Sequence, residues 1–238
     1  MEQIIQQTVE VLRRGGTILY PTDTIWGIGC DARNRDAVER LYTIKERDHS
    51  KSMLVLVENG KWKVESCERP TTYILPQERW QAMLSEDIAD NLPAADGSLG
   101  IRIPNHAFCQ EVIRRLGAPL VSTSANLSGR PSPASYDDIE EELKRRVDYC
   151  VPPLPEFVSG VTQGSRIIKI NSDGSEMVIG RSQRSYCIVE STLNFFHSAV
   201  GSLGNFHHAA ETAYPSTLHL QHGFFACPKA EKGHSGIG

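Results

Sequence analysis

The sequence predicts an α/β protein with a cationic, hydroxyl-rich pocket. Short apolar runs alternate with amphipathic stretches, the spacing expected of strands and helices that share a sheet. Two of those runs open into loops rich in Gly, Ser and Thr, and strand ends are where ligands bind in open α/β sheets. Three cations, Lys45, Arg47 and Lys51, fall within seven residues at the end of an amphipathic stretch.

Residues 3–14 carry Ile4, Ile5, Val9, Val11 and Leu12 near helical spacing and stop at Gly15-Gly16. Residues 17–20 read as a short buried strand that runs into a loop over 21–32. The pattern predicts a helix over 35–47, with Ala37, Val38, Leu41 and Ile44 on one face, and a strand over 53–57. Residues 58–97 show no clear period. A strand over 99–103 stops at Pro104, a helix over 106–116 closes at Gly117, and a strand over 120–123 opens into 124–133. A charged helix is expected over 136–146. Arg166–Ile170 and Glu176–Ile179 form a hairpin about Asp173-Gly174.

Composition narrows the function classes. The 238 residues carry a net charge of −4 and a pI near 6.1, so bulk charge draws the chain toward neither nucleic acid nor an acidic membrane. No run approaches the roughly 20 apolar residues that span a bilayer, and the N-terminal stretch lacks the order of a signal peptide, so a cytoplasmic location is expected. Six cysteines, at 30, 67, 109, 150, 187 and 227, include no CxxC pair. They are expected to be reduced and non-catalytic. The character of the chain changes near Ser185: six of the eight histidines lie between His197 and His234, and 186–238 holds only five charged residues. Residues 1–184 are expected to form the catalytic domain, and 185–238 a poorly ordered appendage whose His spacing matches no metal motif.

Five motifs can carry chemistry. Tyr20-Pro-Thr-Asp-Thr24-Ile-Trp-Gly27-Ile-Gly29 brings hydroxyls, a carboxylate and glycines that let backbone approach a ligand; alone, it is equally an ordinary strand-to-helix loop. Lys45, Arg47 and Lys51 suit a phosphate clamp or simply a solvated helix end. In Ser98-Leu-Gly-Ile-Arg102-Ile-Pro104, strand alternation puts Ser98, Gly100 and Arg102 on one face, where Arg102 can hold a carboxylate or lie exposed. Residues 122–132 offer five hydroxyls, the Asn126 amide and Gly129 within eleven positions. They are either donors for a metal–nucleotide complex or a Ser-rich turn. Gly164-Ser165-Arg166 says little alone. None of these is a Walker loop, a Rossmann fingerprint or a Ser-His-Asp set.

Their order goes further. YPTDTIWGIGCDA, then K-x-R on the next helix, then SLGIRIP, then STSANLSGRPSP resembles the YrdC-like family, over about residues 5–182. The family comprises threonylcarbamoyl-AMP synthases, with a YrdC-like fold: a twisted mixed β-sheet flanked by helices around a concave, cationic cleft. The resemblance implies a nucleotidyltransferase that converts L-threonine, bicarbonate and ATP to L-threonylcarbamoyl-AMP and pyrophosphate. A separate transferase complex would then pass the group to adenosine 37 of tRNAs. Mg²⁺ would arrive with ATP. The resemblance implies that Lys45, Arg47, Ser124 and Asn126 handle the ATP phosphates. Lys51, Ser98, Ser132 and Arg181 are further nucleotide contacts. Thr24, Arg102, Ser122 and Ser165 hold threonine, Arg102 through its carboxylate. The chain departs from the family in having Gly164-Ser165-Arg166 where a Pro-Ser-Thr motif is usual. Two other readings stand beside this one: a module that contacts double-stranded RNA or the ribosome, and a carbamoyl-transfer relative that adenylates carbamate.

Overall fold

A computed structural model of the chain describes residues 1–58, 69–84, 87–157 and 163–179. The expected appendage over 185–238 lies outside the described residues, as do Arg181 and Cys67, Cys187 and Cys227.

Nine strands form one mixed sheet among the described residues. They are β1 (Ile18–Tyr20), β2 (Gly27–Gly29), β3 (Leu54–Leu56), β4 (Thr71–Leu75), β5 (Leu99–Arg102), β6 (Leu120–Ser124), β7 (Tyr149–Cys150), β8 (Arg166–Ile170) and β9 (Glu176–Ile179). The order across the sheet is β7-β1-β2-β6-β3-β5-β4-β8-β9. The pairs β1–β7, β3–β5 and β4–β8 are parallel and the rest antiparallel. The helices are α1 (Glu2–Arg13), α2 (Arg35–Lys45), α3 (Gln77–Met83), α4 (Ala107–Leu116) and α5 (Glu141–Arg146). No described helix is long and apolar enough to cross a membrane.

Strand alternation divides the apolar side chains between two cores. Leu19, Ile28, Val121, Val55, Leu99, Ile101 and Ile168 pack with Ala37, Val38 and Leu41 of α2 and Leu143 of α5 on one side. Ile18, Tyr20, Leu56 and Leu120 pack with Ile5, Val9 and Leu12 of α1 and Phe108, Val112 and Leu116 of α4 on the other. The predicted split of β5 holds: Leu99 and Ile101 lie in the first core, and Gly100 and Arg102 point the other way.

The differences from expectation have local causes. The helix predicted over 35–47 starts as expected, with the Asn34 side chain accepting from the Ala37 N–H, but ends at Lys45. Glu46 takes a left-handed φ of 51°. The Glu46 and Arg47 N–H groups donate to Thr43 and Tyr42 carbonyls, a Schellman closure. The charged helix shrinks to α5 because the Ser135 N–H and hydroxyl donate to the Asp138 carboxylate and close a turn first. Within the expected loop 21–32, Gly27–Gly29 is a strand. Two glycines hide its period, and it is β1 and β6 on either side that make it a strand. The aperiodic 58–97 contains β4 and α3, short elements placed by the sheet.

Gly29 is the tightest point of this assembly. A Cβ there would lie 2.1 Å from the Val121 carbonyl oxygen and 3.0 Å from Tyr20 Cε1, whereas one at Gly164 would meet nothing within 4 Å. Gly29→Ala is expected to lower unfolding free energy in urea by about 1–3 kcal/mol, and Gly164→Ala by no more than about 0.5 kcal/mol. Equal midpoints for the two variants would contradict this packing.

Candidate active site

Ser122, Ser124, Gly100 and Arg102 face the α1/α4 side of the sheet in rows set by strand register, and Lys45 reaches the end of β6 from α2, which packs on the other side. Ser124 of β6 lies opposite Gly27 of β2. Ser122 lies opposite Leu54 of β3, and Leu54 opposite Gly100 of β5. A Cβ on Gly27 would come within 3.3 Å of the Ser122 hydroxyl, and one on Gly100 within 3.1 Å of Leu54 Cβ and 3.6 Å of Thr72 Cγ2. Gly27, Gly100 and Ser122 thus add little bulk here, with Leu54 between the last two.

Lys45 forms one end. It leaves the last turn of α2 and is 1% exposed. Its Nζ donates to the Ser124 and Asn126 carbonyls at 2.6 Å each, and lies 3.3 Å from both Ser124 Oγ and Asn126 Oδ1. The carbonyl of Lys45 accepts from the Ser128 N–H in return. The Asn126 amide also donates to the Leu127 and Arg130 carbonyls, which shapes the loop. Burial pushes the Lys45 ammonium down to about 7, and the positive charge of Arg47 adds to the effect; the four oxygens favour the charged form. Because its folded pKa lies below the unfolded one, the unfolded chain holds more protons between about pH 7 and 10.5. Stability contributed by this group rises across that window.

Arg47, half-buried just past the helix, donates from Nε to the Lys51 carbonyl and from Nη2 to the Ser52 carbonyl. Burial lowers its pKa. The Lys51 side chain is exposed and meets Arg47 only through its own carbonyl. Ser132 is exposed on the loop after β6. The structure brings neither the Lys51 side chain nor Ser132 to Lys45. Ser98, buried before β5, donates to Asp96 Oδ1 at 2.5 Å through its hydroxyl. That bond, then the Ser98 N–H and Lys169, hold Asp96 down at about 2.

Arg102 forms the other end, 4% exposed. Its Nη1 donates to Thr24 Oγ1 at 2.8 Å and lies 3.5 Å from Asp23 Oδ1. Thr22 Oγ1 is 2.9 Å from Thr24 Oγ1. Ser122, buried beside Gly27, also lies against the Tyr20 phenol, whose pKa burial raises. The Ser165 hydroxyl pairs with Thr72 at 2.7 Å, and Thr72 adjoins Gly100 on the same face. The structure thus brings Thr24, Arg102, Ser122 and Ser165 to one side of the sheet.

Sequence reasoning missed Thr22, Asp23 and Thr72. The first two stand inside a motif it singled out, but Asp23 meets Arg102 across 79 positions, and nothing local marks that pairing. Thr72 falls in the segment without period. The described cysteines Cys30, Cys109 and Cys150 are free thiols. Burial raises the thiol pKa of all three, which disfavours the thiolate a nucleophile needs.

Comparison with known proteins fits this geometry. The Sua5_yciO_yrdC family model, described as telomere recombination, matches residues 10–181. A protein of Hahella chejuensis named threonylcarbamoyl-AMP synthase is 30% identical over 178 residues, 68% of this chain and 91% of its own. Escherichia coli YciO superposes with a TM-score of 0.58 at 22% identity, over 75% of this chain and 89% of its own. A variant of P. abyssi Sua5 superposes at 0.55 and 22%, over 71% of this chain. This chain spans only 53% of that longer protein. With the model matching most of its length, the chain belongs to the Sua5, YciO and YrdC family.

Proposed function

We propose that this chain synthesises L-threonylcarbamoyl-AMP and pyrophosphate from L-threonine, bicarbonate and ATP, in the cytoplasm, for the threonylcarbamoyladenosine modification of tRNA. The observation that carries the reading is the placing of two buried cations at separate strand ends. A buried ammonium with hydroxyl and amide oxygens stands at the end of β6, and a buried guanidinium beside a threonine hydroxyl at the end of β5. Relatives named threonylcarbamoyl-AMP synthase, matched over most of their own length, support it.

In this reading Lys45, Arg47, Ser124 and Asn126 bind the ATP phosphates, with Lys51, Ser98, Ser132 and Arg181 as further nucleotide contacts. Arg102 binds the threonine carboxylate, with Thr24, Ser122 and Ser165 around the amino acid. Bicarbonate takes up a proton and loses water to give CO₂, and the threonine amine attacks its carbon and loses a proton, giving a carbamate. A carbamate oxygen then forms a bond to the α-phosphorus, and the bond to pyrophosphate breaks. Positioning and cationic stabilisation serve this transfer without a covalent nucleophile. Exclusion of water protects the carbamate. Mg²⁺ is proposed to enter with ATP, since that ion is commonly bound through substrate phosphates; the Ser124 hydroxyl and Asn126 amide are hard oxygen donors beside them. The product would be handed to a tRNA threonylcarbamoyl transferase complex.

Three outcomes are expected. Purified protein releases pyrophosphate from ATP only when threonine and bicarbonate are both present; release that ignores threonine overturns the reading. Lys45→Met lowers kcat on the order of 10²–10³, measured by the same assay; a wild-type rate would remove Lys45 from the phosphate end. The wild-type kcat/KM for ATP falls as pH rises through about 7, where the free enzyme loses the Lys45 ammonium. A profile flat from pH 6 to 9 contradicts that assignment.

A further inference from the structure

We propose that Thr22 and Asp23 are positioning residues that fix the direction of the Arg102 guanidinium. The proposal rests on the threonine reading above for its substrate readout only.

A hydroxyl has one proton to give. The Thr22 hydroxyl donates to the Ile25 carbonyl at 2.8 Å. Its oxygen accepts from the Thr24 N–H at 3.0 Å. In the 2.9 Å contact between the two hydroxyls, Thr22 has no proton left, so Thr24 is the donor. Thr24 Oγ1 then turns a lone pair toward Arg102 Nη1, which donates to it at 2.8 Å. The chain of bonds has one sense: Arg102 to Thr24, Thr24 to Thr22, Thr22 to the Ile25 carbonyl. Both ends of the chain are fixed in sense, since a guanidinium N–H only donates and a carbonyl only accepts.

Asp23 acts from the second side. Its Oδ2 accepts from the Asn105 N–H at 3.1 Å, just beyond β5. Its Oδ1, 3.5 Å from Arg102 Nη1, makes no hydrogen bond among the described residues. The carboxylate is thus tethered by backbone and balances the guanidinium charge without capturing it. Arg102 Nε is likewise buried and has no partner among the described residues. An unsatisfied buried donor on a pinned guanidinium is a cost the fold retains, and it leaves that donor for an incoming acceptor. Fixing one nitrogen by Thr24 and the charge by Asp23 sets where that donor points.

Thr22→Val keeps the volume and removes the proton relay, Thr22→Ser keeps the relay, and Asp23→Asn keeps an acceptor for Asn105 while removing the charge. Kinetics with threonine and ATP varied separately should show the threonine KM of Thr22→Val raised about 10-fold or more, with the ATP KM within about twofold and Thr22→Ser within about threefold of wild type. Asp23→Asn should follow Thr22→Val. Independently of any substrate, hydrogen exchange at the Arg102 Nε–H, followed by NMR, should be slow in wild type and Thr22→Ser and faster in Thr22→Val. A Thr22→Val protein with wild-type threonine KM and wild-type exchange overturns the proposal, as does Thr22→Ser behaving like Thr22→Val. If wild-type turnover ignores threonine, the substrate reading falls, and the exchange comparison alone decides the positioning claim.

Discussion

The ammonium of Lys45 joins three parts of the chain that share no sequence neighbourhood. Helix α2 packs on the side of the sheet that it shares with α5, and its last side chain reaches to the end of β6. There the chain leaves the ladder, and Nζ donates to the Asn126 carbonyl and, beside the Asn126 N–H, to the Ser124 carbonyl. A buried charge is costly unless hydrogen-bonded, and a buried carbonyl is costly unless paired. Each offsets the other, since Nζ meets both carbonyls at 2.6 Å. Because Lys45 must end α2 at this point, Glu46 takes up the left-handed turn and Arg47 is delivered to the Lys51–Ser52 backbone. The helix end, the loop after it and the loop after β6 therefore form one unit.

The second end depends on the same sheet. Arg102 closes β5, and the register of β5 with β3 and of β3 with β6 fixes its distance in rows from Ser122 and Ser124. Gly27 and Gly100 add no side chain to these rows, where Leu54 stands between Gly100 and Ser122. Polar groups that would be expensive in a core sit on this face because each has a defined partner: Thr24 for Arg102, Thr72 for Ser165, Asp96 for Ser98. Of the four buried polar atoms without a hydrogen bond among the described residues, two, Asp23 Oδ1 and Arg102 Nε, lie at the proposed amino-acid end.

Much of this was legible before any coordinates. Period and punctuation located α1, α2, α4, β1, β3, β5, β6 and the β8–β9 hairpin, because these elements bury one clear face or run of their own. The order of the motifs located Lys45, Ser124, Asn126, Thr24 and Arg102. What was hidden was set by partners distant in sequence. β2 is a strand through its neighbours on both edges, despite two glycines. β4 and α3 are short and lie in a segment without period. Asp23 and Thr22 read as loop residues until Arg102 is placed beside them. The Lys51 and Ser132 side chains are exposed on the loops after α2 and β6.

The claim at the centre of this account is that Lys45 is a buried, oxygen-held ammonium whose charge is easily lost and is stabilised by phosphate. It is tested most directly by NMR titration of the Lys45 side chain, assigned by its loss in Lys45→Arg, with and without ATP. The account predicts a midpoint at about 7 in the free protein, moving upward when ATP binds. A midpoint near the ordinary lysine value of about 10.4, unmoved by ATP, would contradict it.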